Sequence, residues 1–254
     1  MNTKANDIVN KAIQESCSTN KVKDTICNDL FIGRITYKKK WMWQDLDDEL
    51  AVYISDNNIN KIKKQTTDEY VLNNTNENRI VVVLESPHTS EYDLQGKSKG
   101  PARGKTGDLF VKYFCELLSN VNIDQKCIYD IILINSIRLQ CSLGKNTEFF
   151  RDLLWLYYWE DSLTRENLIK RIEELKPNFI INLSTKGSHK HLNNGFNKEF
   201  NKKFLQLVGC DSLINLTDNT LQGLVHEELQ LFSNLLKGNH PSSWHAKNNR
   251  KDFY

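Results

Sequence analysis

Polar side chains that could perform acid–base chemistry follow three short apolar segments of the chain. Glu85 comes directly after the first, Asn135 after the second, and His240 shortly after the last. A carboxylate can activate water, an amide can read the edge of a flat polar ring, and an imidazole can stabilise a departing anion. Taken singly, each residue also has a structural explanation, as a helix cap, a turn residue or a structural histidine. Their joint placement therefore carries the functional hypothesis.

The apolar segments that precede these residues have the pattern of buried strands. Three of them are short and rich in β-branched residues: 80–84, 128–134 and 179–183. Segments with helical spacing lie between them: 108–118, 147–159 and 164–175. Residues 229–236 fit a helix or a strand, and the loop that follows favours a strand. The alternation predicts an α/β fold: a three-layer α/β/α sandwich around a mainly parallel four-stranded sheet, with the polar residues at one sheet edge.

The first third of the chain has a different character. Residues 7–16 and 41–54 show helical spacing of apolar side chains, and residues 30–37 form a short β-like run between them. The polar segment 73–78 is typical of a loop. We therefore predict a mainly helical N-terminal extension over residues 1–77, followed by an α/β domain over residues 78–254.

Composition and charge narrow the class of protein. The 34 Lys and Arg residues nearly balance the 32 Asp and Glu residues, which argues against non-selective coating of nucleic acid. The six cysteines form no C-x-x-C pair and no signal peptide is recognised, so we expect reduced thiols in a cytoplasmic protein. Apolar stretches fall short of the roughly 18 residues of a membrane helix, so no membrane partner is expected.

The ordered motifs resemble the signature loops of the uracil-DNA glycosylase superfamily. Residues 240–244, His-Pro-Ser-Ser-Trp, are similar to the H-P-S-x-L motif. Residues 85–91 begin Glu-Ser-Pro and end in Glu, which resembles the G-E-A-P-G-x-x-E motif. Residues 100–107, GPARGKTG, look like the downstream P-F-V-G-R-A-G segment. The resemblance covers roughly residues 79–250. It implies the glycosylase-like α/β fold and hydrolysis of an N-glycosidic bond in DNA after the nucleotide is flipped out, leaving an abasic site.

The resemblance also implies roles for individual residues. Glu85 and Glu91 would activate water and balance the cationic sugar, while His240 would contact the base oxygen where negative charge develops. The expected base-binding residues are Ser86, Pro87, His88, Ala102 and Asn135. The expected DNA-binding residues are Arg103, Lys105, Ser184, Ser242, Ser243, Trp244 and Lys247, with Trp244 wedged into the gap left by the base. We expect a monomer that uses no metal and no cofactor, since the cysteine spacing does not match a four-cysteine iron–sulfur cluster.

Departures from the family pattern bear on the substrate. Ser86 stands where one branch carries a catalytic Asp, and His88 where it places a methyl-blocking Tyr; the stacking ring falls on Ala102 or Gly107. A pocket without these rings is wider, which favours a modified pyrimidine such as glucosylated hydroxymethylcytosine of phage DNA, and a role in antiviral defence. The alternatives are a repair glycosylase for uracil or another deaminated base, and a non-catalytic reader of modified DNA. In an unrelated nucleotide-binding protein, His240 and Trp244 would not share a cleft with Glu85.

Overall fold

The computed structural model describes residues 25–44, 77–142, 151–152, 154–187, 219–251 and 253–254 of the chain. The helix expected over residues 7–16 lies outside these ranges. So do most of the helix expected over residues 41–54 and the first part of the one expected over residues 147–159.

A six-stranded mixed sheet forms the centre of the molecule. Its strands along the chain are β1 (Leu30–Tyr37), β2 (Trp41–Trp43), β3 (Arg79–Leu84), β4 (Tyr129–Asn135), β5 (Phe179–Asn182) and β6 (Leu235–Lys237). They lie in the order β2-β1-β4-β3-β5-β6. β4, β3, β5 and β6 are parallel, whereas β1 runs antiparallel to β4 and to β2. The α/β class with four parallel strands is therefore confirmed, and the sheet is two strands wider than predicted.

Helices cover both faces of this sheet. In the described residues they are α1 (Lys105–Leu118), α2 (Leu154–Glu160), α3 (Ser162–Leu175) and α4 (Leu221–Leu229). Val81 and Val83 of β3 pack in the core that includes α2, α3 and α4. Ile80 and Val82 pack in the core on the other face, which includes α1. This alternation follows from the two-residue period of a strand and makes β3 apolar on both sides.

Local sequence explains where the predicted helices begin and end. Gly104 precedes α1 with a φ of 97°, a conformation that glycine adopts without steric cost. The Asp161 side chain accepts a hydrogen bond from the Leu163 N–H and caps the start of α3. Lys176 ends α3 in the left-handed conformation, directly before Pro177. The helices predicted over residues 108–118 and 164–175 are thus confirmed, with slightly earlier starts.

Two segments differ from the sequence expectation. Residues 41–43, expected to begin a helix, form β2, in which Trp41 pairs with Tyr37 and packs edge-on against it and Tyr129. The strand expected over residues 229–236 is shorter and later, because Leu229 ends α4 and only Leu235–Lys237 pairs with β5. Helix α4 itself was not predicted.

Strand β1 belongs to the segment before residue 78 and yet lies in the same sheet as the later strands. It pairs with β4 along its length, from Leu30 opposite Leu133 to Ile35 opposite Tyr129. The Nε atom of Arg34 lies 2.7 Å from the carboxylate of Asp130, which is fully buried. An ion pair and backbone hydrogen bonds therefore tie the N-terminal third to the centre of the sheet.

Candidate functional site

The carboxyl ends of the four parallel strands meet at one edge of the sheet. From β3 the chain passes to β4 on one side, and from β4 it crosses to β5 on the other. Such a reversal opens a crevice between adjacent strand ends, where α/β sheets bind ligands. Glu85 follows β3 at this crevice, and the N–H of Thr185, after β5, donates to its Oε2 over 3.4 Å. Glu85 therefore lies at the reversal point.

Glu85 and His240 contact each other across this edge. The Nε2 atom of His240 lies 3.2 Å from Oε2 of Glu85, with 15% and 11% of the two side chains exposed. Burial by itself raises the pKa of Glu85, but the charge and hydrogen bond of His240, together with the charge of Arg151, lower it to about 2. Glu85 is therefore ionised at neutral pH. The convergence of these two residues, expected from the parallel strands, is confirmed.

The backbone of Glu85 is fixed from the interior. Its carbonyl oxygen accepts hydrogen bonds from the indole Nε1 of Trp155 at 2.9 Å and from the Ser136 hydroxyl at 2.5 Å. The Ile137 N–H donates to the same oxygen at 3.1 Å. Trp155 belongs to α2 and is fully buried. The carboxylate is thus held at the edge by groups on β4's exit loop and on a core helix.

Two histidines near this edge are held by the same pattern of hydrogen bonds to the serine two residues later in the chain. The Nδ1 atom of His240 accepts the Ser242 N–H at 3.3 Å and lies 2.7 Å from the Ser242 hydroxyl. The Nδ1 atom of His88 accepts the Ser90 N–H at 3.1 Å and lies 2.9 Å from the Ser90 hydroxyl. Each ring caps a 3₁₀ turn, Pro241–Ser243 and Thr89–Glu91 respectively. Because Nδ1 accepts a hydrogen bond from a backbone N–H, the neutral ring in both cases carries its proton on Nε2.

A polar cavity opens beside the Glu85–His240 pair. Its volume is about 230 Å³, and every lining residue has a polar side chain: Ser184, Thr185, Lys186, Gln222, Asn239, His240, Ser243 and Asn249. Gln222 of α4 donates to the carbonyls of Asn182 and Gly238 and so joins the ends of β5 and β6. Ser184 is buried at the wall of the cavity. The cavity therefore offers hydroxyl, amide, imidazole and ammonium groups to a polar ligand.

The environment of Glu91 has the opposite effect on its pKa from the environment of Glu85. Its Oε1 accepts the Ala102 N–H at 3.0 Å, and its Oε2 lies 3.1 Å from the Asn135 amide nitrogen and 3.7 Å from the Cys27 sulfur. Burial raises its pKa to about 8, against the lowering effect of the Asn135 and Ala102 hydrogen bonds. Glu91 is therefore protonated at neutral pH. This corrects the expected role, because a neutral, buried carboxyl group neither activates water nor balances a cationic sugar.

Three residues expected at the ligand are enclosed by the protein. Asn135 is 1% exposed and donates its amide to Glu91, so it does not present its polar edge to the cavity. Ala102 is buried and packs in the core beside α1. Arg103 is buried as well, with its Nε donating to the Lys99 carbonyl at 2.7 Å. The expected base contacts of Asn135 and Ala102 and the phosphate contact of Arg103 are therefore not what this arrangement provides.

Trp244 corrects a further expectation. Its side chain is 0% exposed and lies among the rings of Phe110 and Phe253, with centroids 6.1 and 6.4 Å away. His240 precedes the 3₁₀ turn and lies at the edge, whereas Trp244 follows the turn and its ring points inward, onto α1. A wedge that enters a duplex must be exposed. Trp244 is therefore a core residue, and the expectation of a wedge is wrong.

The remaining expected residues divide between buried and exposed positions. Ser86 and Pro87 are buried next to Glu85. Ser242 and Ser243 are half-buried, and the Ser243 hydroxyl donates to the His240 carbonyl at 2.8 Å. Lys105 begins α1 and Lys247 begins a 3₁₀ turn, and both are exposed. These two lysines stay available for a phosphate backbone.

Sequence reasoning missed two arginines that support the site. Arg171 of α3 pairs with buried Asp29 at 2.6 Å and donates to the Asn135 carbonyl at 2.9 Å. Its position three residues after Leu168, on the apolar face of the helix, is the signal that could have found it. Arg151 lies close enough to Glu85 for its charge to lower the pKa of that carboxyl group, and it pairs with Asp152 at 2.6 Å. No spacing in the sequence marks Arg151.

Comparison of the chain with protein-family models, with curated proteins and with solved structures returned no match. Among the described residues, no helix has the length and apolar character needed to cross a membrane. The same residues contain no group of three or more His, Cys, Asp or Glu side chains arranged to hold a metal ion. The geometry of the site is therefore the basis for assigning a function.

Proposed function

We propose that this protein is a DNA glycosylase that flips a nucleotide out of the stack and hydrolyses its N-glycosidic bond, leaving an abasic site. The observation that carries the proposal is the contact between ionised Glu85 and His240 at the reversal point of the sheet, beside a polar cavity. An anionic group at a ligand crevice suits a reaction in which positive charge develops on the substrate.

The chemistry assigned to Glu85 follows from its charge. As the bond between C1′ and the base nitrogen breaks, its electron pair leaves with the base and the sugar becomes cationic. The Glu85 carboxylate stabilises this cation. A water molecule then adds its oxygen to C1′ and passes a proton to Glu85, and the departed base anion takes a proton from solvent. The products are the free base and an abasic site.

His240 has a supporting role in this scheme. Its Nε2 faces Glu85 at 3.2 Å, which favours the ionised carboxylate and fixes its orientation. The contact between His240 and the base oxygen, which the family resemblance implies, remains a prediction. Glu91 takes no part in the proton transfers, because it is neutral and enclosed by Asn135, Ala102 and Cys27.

DNA is the proposed partner, held through its backbone near the edge of the sheet. Exposed Lys105 and Lys247 offer charge to phosphates, and Lys186 and Ser243 line the cavity. The cavity volume of about 230 Å³ is below the roughly 300–1,000 Å³ of pockets for drug-sized ligands. It therefore takes part of a flipped-out nucleotide, while the rest of the strand lies across the surface.

The proposed substrate class is a modified pyrimidine larger than uracil, for example glucosylated hydroxymethylcytosine of phage DNA, which fits a role in antiviral defence. Support comes from the family resemblance, in which His88 stands where a bulkier ring would restrict a base pocket. Release of uracil or another deaminated base would instead indicate a repair glycosylase.

The test incubates the purified protein with oligonucleotides containing uracil, hypoxanthine or hydroxymethylcytosine, and with phage DNA containing glucosylated hydroxymethylcytosine. Mass spectrometry then detects released base. We expect release of one base by the wild type and loss of release in Glu85→Gln, with binding to the same DNA retained. Tight binding of modified DNA without release from any substrate would contradict the proposal and indicate a non-catalytic reader.

A further inference from the structure

We propose that His88, through its Nε2–H, is the group that donates a hydrogen bond to the departing base, while His240 serves Glu85. This inference rests on the proposed glycosylase function. The family resemblance assigns the contact with the departing base to His240. Here His88 makes that contact, and His240 holds the Glu85 carboxylate.

The two rings differ in what their Nε2 atoms contact. Both histidines accept a serine N–H on Nδ1 and so direct a protonated Nε2 away from their own turn. The Nε2 of His240 meets Glu85 at 3.2 Å. The Nε2 of His88 has no hydrogen bond to another residue in the described parts of the chain. A donor with a fixed ring and an unused proton is preorganised for a ligand.

His88 lies close enough to Glu85 for the charge of that carboxylate to act on the pKa of its ring. The Thr89 N–H donates to the Ser142 carbonyl at 3.1 Å, and the Ser142 N–H donates to the Pro87 carbonyl at 3.3 Å. The His88 turn is therefore attached to the chain that leaves β4, whereas His240 follows β6. Because β3 lies between β4 and β6 in the sheet, the two histidines approach the end of β3 from different neighbouring segments.

The charges around His88 favour a neutral ring. Burial lowers the pKa of His88, the Glu85 carboxylate raises it, and the Arg151 guanidinium lowers it, with a net decrease. A neutral imidazole at pH 7 donates a hydrogen bond through Nε2 without competing for the proton of the attacking water. In this step no proton leaves His88: the base departs with the electron pair of the broken bond, stabilised by the hydrogen bond, and takes its proton from solvent.

The experiment compares leaving groups of different acidity in single-turnover base release. The substrates are oligonucleotides carrying the base that the wild type releases and its ring-fluorinated analogue, which leaves as a more stable anion. We expect His88→Phe, which keeps a ring but has no donor, to slow release of the natural base by about 10²–10³-fold, the range for loss of one such donor. The fluorinated analogue should be slowed much less, because it needs less stabilisation. His88→Gln, which restores an N–H donor, should recover part of the rate.

Control variants separate this role from a structural one. His245→Gln changes an exposed histidine two residues beyond Ser243 and should leave the difference between the two bases unchanged. If His88→Phe does not fold, Ser90→Ala loosens the His88 ring and should give a smaller effect with the same dependence on the leaving group. Equal slowing of both bases, or no slowing, would overturn the role of His88. Absence of base release by the wild type would instead overturn the proposed function, and this inference with it.

Discussion

Glu85 and Glu91 lie on the same loop after β3, and the protein gives them different charge states: Glu85 is ionised at neutral pH and Glu91 is neutral. Glu85 lies close to His240 and to the Arg151 guanidinium, whose interactions lower its pKa to about 2. The Glu91 carboxyl group accepts hydrogen bonds from the uncharged Asn135 amide and the Ala102 N–H, and burial raises its pKa to about 8. At Glu91, hydrogen bonds from an amide and a backbone N–H do not offset the effect of burial on the pKa. At Glu85, the interaction with His240 and the nearby positive charge of Arg151 do offset it. The first carboxylate is therefore suited to chemistry, and the second to holding the loop in place.

The strongest test of this comparison is the exchange of each carboxylate for its amide. Glu85→Gln removes the only one of the two that is ionised at neutral pH, and we expect base release to fall by about 10²–10⁴-fold, as for loss of a general base. Glu91→Gln keeps the shape of a group that is already neutral and should change the rate far less. Single-turnover base release measures both. Equal losses in the two variants would contradict the division of roles.

Substitution of Trp244 tests whether this side chain stabilises the core beneath the site or contacts DNA. Trp244→Ala should lower the free energy of unfolding by about 3–5 kcal/mol, because it leaves a cavity between Phe110 and Phe253. Trp244→Phe, the matched control, retains an aromatic ring and should cost much less. Denaturant unfolding provides the measurement. A normally stable Trp244→Ala protein with impaired DNA binding would restore the wedge hypothesis.

A further prediction concerns the buried Arg171–Asp29 ion pair, which lies next to Asn135 because Arg171 also donates to the Asn135 carbonyl. Asp29→Asn leaves the buried Arg171 charge without its carboxylate and should destabilise the protein by about 3–5 kcal/mol. Lys170→Gln, on the same helix, breaks an exposed pair with Glu174 and should cost about 0.3–0.5 kcal/mol or less. Thermal or urea unfolding compares the two. Similar small losses in both variants would show that the buried pair is not a main support.

The two carboxylates also differ in how they make stability depend on pH. The pKa of Glu91 rises from an ordinary 4.5 to about 8, so its contribution to stability is lost as pH increases over that interval; Glu91→Gln should remove this decline. The pKa of Glu85 falls to about 2, so its contribution is lost as pH decreases from 4.5 towards 2, and Glu85→Gln should remove that second decline. Urea unfolding from pH 3 to 9 measures both. Identical pH profiles for the two variants would contradict the assigned charges.

The parts of this architecture that depend on local pattern were predictable from sequence. Short β-branched runs marked β3, β4 and β5, and parallel strands place Glu85 and His240 at one edge without further information. What depends on contacts between distant segments was not predictable. Pairing of β1 with β4 is not visible in either segment alone, because antiparallel and parallel partners have similar patterns. Helix α4 was missed because its apolar period is short and includes Gly223.

Burial explains the errors at the site. Glutamate, asparagine and tryptophan occur in ligand pockets and also in protein interiors. The sequence does not show whether Glu91, Asn135 and Trp244 face the ligand or the core. Trp244 follows a proline-containing turn, and the direction in which that turn points its ring is decided by the space beneath α1. The role of a polar or aromatic residue at a strand end thus depends on packing that spacing does not encode.

The pairing of β1 with β4 has a consequence for any shortened form of the protein. A chain beginning at residue 78 would expose the outer backbone of β4, a long and strongly apolar strand, as an unpaired edge. Such an edge is a template for another chain to add a strand, and aggregation follows from it. The same deletion would remove Asp29 and Arg34, leaving Arg171 and Asp130 as buried charges without these partners. Strand β1 therefore protects the edge of β4 from self-association of the sheet that carries the site.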